Sequence, residues 1–125
     1  MSDSVPPAPH PAPDSGITDE AISKRTIDGV DYIFNVMTLA PGASTGWHTH
    51  PGAIYSVVHS GALTHGLTGC HTEVIRQGEP FVDHADEVHI GRNLGSTPTV
   101  VVGLAVLPHG APFTEAAPDP GCGYR

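Results

Sequence analysis

The sequence predicts an all-β domain of jelly-roll type, on three observations. Short segments rich in Val, Ile, Thr, Tyr and Phe recur between Gly, Pro and Asp at close intervals. No stretch sustains an apolar period of 3.6 residues. The candidate strands come close to the roughly eight of a jelly roll. A chain of 125 residues fits one such barrel and has little room for a second core.

Residues 1–16 carry Pro6, Pro7, Pro9, Pro11 and Pro13 among Ser, Ala and Asp, and are predicted to be an extended, mobile arm with a solvated His10. The folded body is placed at 17–112. Within it only Asp19 to Ser23 hints at a helical turn. Strands are predicted at about 27–39, 46–50, 54–59, 61–67, 72–76, 80–83, 87–93 and 98–107. The stretch Thr99 to Leu107 is apolar on both faces, as a strand covered on both sides requires. One of those covers is expected to be a second copy of the chain in a homodimer. Residues 113–125, broken by Pro118, Pro120, Gly121 and Gly123, are expected to wrap the surface as irregular chain.

Five Lys and Arg against thirteen Asp and Glu, with no basic run, leave no electrostatic footprint for nucleic acid or an anionic membrane. The longest apolar run, near Val100 to Leu107, is too short to span a bilayer, and no signal pattern opens the chain. A cytoplasmic protein acting on a small molecule is expected. Cys70 and Cys122 do not form a CxxC-type zinc motif. A reducing cytosol favours two thiols, and a disulfide tying the tail to the barrel is the alternative.

Nine histidines in so small a chain direct attention to metal chemistry. In Gly46-Trp47-His48-Thr49-His50-Pro51-Gly52 the strand period of two turns both imidazoles to one face. An isolated pair of this kind suits a solvated strand face equally well. The flanking spacing narrows the choice. Gly42, His48, His50 and Gly61 resemble the first cupin motif, and Gly78, His89 and Asn93 resemble the second, with His84 and Asp86 in place of its usual Pro and Gly.

The resemblance covers residues 42–93 and implies a cupin double-stranded β-helix in which His48, His50 and His89 hold one divalent metal ion. The family's fourth ligand, a Glu or Gln, is missing. Counting from His50 puts Ile54 or Tyr55 in its place. Ile54 cannot ligate, and Tyr55 would have to ionise a phenol with an ordinary pKa near 10. Three neutral imidazoles leave a divalent ion its full charge and open positions, as in the related three-histidine thiol dioxygenases. Fe(II) is the expected ion, but the ligand set alone does not select it over Zn(II), Mn(II), Ni(II) or Cu(II).

His84 and Tyr55 are the candidate catalytic residues. His84 could serve as an acid or base near neutral pH, or face water from a loop. His59 is placed on the face opposite Ile54, Ser56 and Val58, while His71 and His109 are expected to be exposed. Asn93 is expected to pair with backbone groups. Trp47, opposite in parity to His48, should pack on a neighbouring strand or subunit. Ile54, Val58, Phe81, Val102 and Leu104 are candidate walls for a hydrocarbon or aromatic substrate. The function expected is a metal-dependent oxygenase. An isomerase or cyclase of specialised metabolism and a non-catalytic ligand-binding barrel are the alternatives.

Overall fold

The computed structural model describes residues 16–125, so the predicted arm lies, except for its last residue, outside the described residues. Ten strands follow in order: β1 (Ile17–Ile27), β2 (Val30–Leu39), β3 (His48–Thr49), β4 (Ala53–Ser60), β5 (Ala62–Leu67), β6 (Thr72–Arg76), β7 (Pro80–Asp83), β8 (His89–Arg92), β9 (Thr99–Pro108) and β10 (Glu115–Ala116). They form two antiparallel sheets of five, ordered β1-β2-β9-β4-β7 and β10-β3-β8-β5-β6. No helix among the described residues is long and apolar enough to cross a membrane.

The predicted helical turn at Asp19–Ser23 is instead part of β1, and the strand predicted at 27–39 is β2, which begins only at Val30, after a turn that joins it to β1 in a hairpin. The reason for the first error is a bulge. Ala21 pairs with Asn35 and Ser23 with Phe34, so Ile22 is an extra residue. An extra residue reverses the alternation of faces, and this masks the period of two. The second error lies at Asp28-Gly29, where both residues have positive φ, 51° and 78°. Such a pair suits the two-residue turn whose twist matches that of the flanking strands.

The interior lies between the sheets and holds two apolar clusters. One cluster joins Ile17, Leu39, Val58, Leu63, Ile75 and Val101, and the other joins Ile33, Ile54, Ala105 and Leu107. Alternation along β9 turns Val101, Gly103, Ala105 and Leu107 inward. Val102 and Leu104 therefore point outward, a correction to their assignment as pocket walls. On that outer face Phe34, Leu104, Tyr55 and Val82 stand in one cross-strand row, and Val36, Val102, Val57 and Pro80 stand in the next.

The tail is tied down. Cys70 and Cys122 form a disulfide, in place of the two thiols favoured by the sequence. Glu115 and Ala116 pair with β3. Trp47, expected to pack on a neighbouring strand or subunit, instead meets the tail: it donates its indole N–H to the carbonyl of Tyr124 at 3.0 Å, and the Arg92 guanidinium sits 3.8 Å from the centre of the Tyr124 ring. Asn93 donates to the carbonyls of Leu39 and Thr97, the backbone role expected of it.

Asp31 pins the β1–β2 hairpin to the end of β9. Burial opposes its ionisation, but hydrogen bonds from Thr26, His109 and the Gly110 amide, with the Lys24 charge, outweigh that cost and lower its pKa to about 2. A depressed carboxylate contributes stability that is complete above its unfolded value near 3.8 and lost as pH falls through 2. Asp31→Asn should therefore flatten the loss of stability between about pH 4 and 2, measured by urea unfolding at stepped pH.

Candidate metal centre

His48 and His50 arrive on one face because β3 is extended, and His89 on β8 is the cross-strand partner of His48. The three rings have centroids 4.1 to 4.9 Å apart, and their donor atoms lie within 4.8 Å of one another. All three side chains are buried.

Each ring is oriented by a backbone carbonyl. His48 Nδ1 meets the Gly46 oxygen and His89 Nδ1 meets the Glu87 oxygen, both at 2.8 Å and both two residues upstream. His50 Nδ1 meets the Phe113 oxygen at 2.8 Å, across 63 residues of sequence. A carbonyl only accepts, so each Nδ1 carries the proton and each Nε2 presents a lone pair. Three neutral imidazoles held in one tautomer by outer hydrogen bonds form a donor set suited to a divalent ion. The residues present fit such an ion.

The histidines border a cavity of about 40 Å³. Met37, Ile54, Leu63, Phe81 and Val101 give it an apolar wall, while Asn35, Thr45, Ser56, His65 and Asp83 supply polar groups. Gly103 keeps it open: a Cβ there would stand 2.9 Å from Ser56 Oγ and 3.2 Å from Ile54 Cγ2.

Tyr55 does not reach the site. It lies in the outer row, 53% exposed, because Ile54 takes the inward parity. His84 sits in an exposed stretch after β7 and does not line the cavity. Two buried residues stand where those candidates were sought. His65 Nε2 donates to Asp83 Oδ1 at 2.7 Å, and Asp83 Oδ2 lies 3.5 Å from His89 Nε2. Burial opposes ionisation of Asp83 and the hydrogen bond from His65 favours it; its pKa lies below the ordinary carboxylate value. A usable signal was parity, since Asp83 shares the face of Phe81 on β7.

A family model described as "Cupin domain" matches residues 35–107. No curated protein matches the chain. A cupin-like protein from Thermotoga maritima is similar in structure, with TM-score 0.74 and 19% identity over 94% of this chain and 90% of its own. Oxalate oxidase in complex with the substrate analogue glycolate has TM-score 0.64 and 22% identity over 92% of this chain and 62% of its own. The Cupin_2 domain of an XRE family transcriptional regulator from Enterobacter cloacae has TM-score 0.60 and 22% identity over 72% and 95%. At these identities the likeness is one of fold.

His48→Ala, His50→Ala and His89→Ala should each lower bound divalent metal about tenfold or more, by elemental analysis after dialysis. His59→Ala, exposed on the outer face of β4, should leave it unchanged.

Proposed function

Since the chain belongs to the cupin family, whose model spans residues 35–107, we propose that it is a metal-dependent enzyme acting on a small molecule through His48, His50 and His89. The observation that carries this reading is the convergence of three Nδ1-anchored imidazoles on the rim of a cavity. A bound divalent ion would supply Lewis acidity and open coordination positions, and with Fe(II) a route to dioxygen chemistry. Oxygenase is the reaction class we assign. The same donor set would also serve an isomerase or cyclase.

The chain's own residues define what enters. One water needs about 10–15 Å³ of such space. The cavity therefore suits a molecule of few heavy atoms, a narrower class than the hydrocarbon or aromatic substrate expected from sequence. Met37, Leu63, Phe81 and Val101 would shelter an apolar portion, and Asn35 and Ser56 would meet a polar group. Likeness to an oxalate oxidase complex with glycolate supports a substrate of this size. Likeness to the cupin domain of a transcriptional regulator favours a second reading, a binding module that holds ligand without turnover. The Cys70–Cys122 bond supports an oxidising compartment over the cytoplasm expected from composition.

We further propose a homodimer through the outer rows of Phe34, Leu104, Tyr55 and Val82 and of Val36, Val102, Val57 and Pro80, an apolar face that a second copy would cover. Tyr55→Glu should convert the dimer to monomer by light scattering. A wild-type chain that is monomeric at micromolar concentration would refute this arrangement.

Gly103→Ala separates turnover from storage. Its added methyl stands nearest to Ser56, Ile54 and Asn35 and narrows the cavity there, so metal content should persist while kcat/KM for dioxygen consumption with small acids and alcohols falls about tenfold or more. Fe(II)-loaded wild-type protein that consumes no dioxygen with any of them would overturn the oxygenase assignment.

A further inference from the structure

We propose that Asp83 is a fourth protein ligand of the metal centre, supplying from β7 the carboxylate that Ile54 does not supply from β4. This rests on the metal reading above. Asp83 is the cross-strand partner of Ile54, and both are buried and border the same cavity. Facing residues of an antiparallel pair carry Cβ atoms about 4.5–5.5 Å apart on one side of the sheet. The carboxylate expected at the Ile54 position has moved one strand sideways.

Toward His89 the local geometry is that of neighbouring ligands. Asp83 Oδ2 stands 3.5 Å from His89 Nε2. Two ligand atoms bonded to one tetrahedral ion at about 2.0–2.2 Å lie about 3.4 Å apart. His89 has turned its proton-bearing Nδ1 to the Glu87 carbonyl, so Nε2 offers a lone pair to a carboxylate oxygen that also only accepts. Two acceptors face each other, and a cation between them turns their repulsion into two bonds.

Charge and orientation agree with this. The ionic partners of Asp83 among the described residues are His65 and His89, with no Lys or Arg. A buried carboxylate needs a positive partner, and a divalent ion at the histidines provides it. His65 donates to Oδ1 at 2.7 Å and leaves Oδ2 beside His89, so His65 is a positioning residue. One carboxylate beside three neutral imidazoles lowers the charge of the loaded site by one unit and improves its match to a hard divalent ion.

The test is Co(II) titration of the full chain, followed by calorimetry and by the visible absorption of the bound ion. Asp83→Asn keeps the shape and the acceptor for His65 while removing the charge. It should weaken Co(II) binding about tenfold or more and change the visible band, with the melting temperature of the metal-free protein unchanged. Ile54→Glu in the Asp83→Asn background returns a carboxylate across the strand and should recover the affinity. A folded double variant that binds no better than Asp83→Asn overturns the exchange between the two positions. Asp83→Asn protein that binds within about twofold of wild type with the same spectrum, while His50→Ala loses the ion, overturns the role of Asp83 and leaves the three-histidine site standing. Wild-type protein that binds no Co(II) overturns both.

Discussion

Three lone pairs turned toward one buried point repel one another in the absence of a cation, and the rest of the structure depends on how they are held there. Each of His48, His50 and His89 is fixed by an Nδ1–H bond to a backbone carbonyl. Two of those carbonyls are local, at Gly46 and Glu87, so β3 and β8 set their own histidines. The third belongs to Phe113 in the tail. Pairing of His48 with His89 brings the two strands into register, and strand parity adds His50. A slip of one residue in β8 would turn His89 out of the barrel and Ile90 or Val88 into it.

A barrel interior that exists for stability alone is filled with apolar side chains in close contact. Here the filling divides into two apolar clusters, while the site brings Asn35, Ser56, His65 and Asp83 inside. Buried polar groups are costly unless paired. Asn35 spends its Nδ2 on Asp19, which assigns the amide orientation, and its buried Oδ1 has no hydrogen-bond partner among the described residues. Gly103 opposite removes the side chain that would fill the space. The cavity is thus maintained at a cost in packing and polar satisfaction, as expected of a place kept for a ligand.

The elements legible in the sequence were those whose physics is local. Alternation and turn residues marked most strands of the body, and the spacing of His48, His50 and His89 marked the cluster. What escaped depended on contacts that spacing does not encode. The bulge at Ile22 hid β1 by reversing its parity. Tyr55 and His84 were chosen by chemical type near the motifs, but the pleat sends one to the outer face and the loop leaves the other exposed. Asp83 and His65 lie on different strands and in different sheets, and only closure of the barrel brings them together. The Cys70–Cys122 bond likewise joins a turn to a tail across 52 residues.

That tail belongs to the site as well as to its surface. The Phe113 carbonyl holds His50, and Thr114 Oγ1 lies 3.2 Å from the same nitrogen. The next two residues pair with β3, the strand that carries His48. Farther along, Tyr124 stacks against Trp47 and Arg92, the outward neighbours of the inward histidine face, and Cys122 closes the wrap onto the β5–β6 turn. The same strands thus receive the cavity on one side and the tail on the other. Loosening the tail would release the orienting bond of one imidazole out of three while leaving the strand pairing of the other two intact. The tautomer of His50, and with it the completeness of the donor set, is coupled to how firmly the last thirteen residues are anchored.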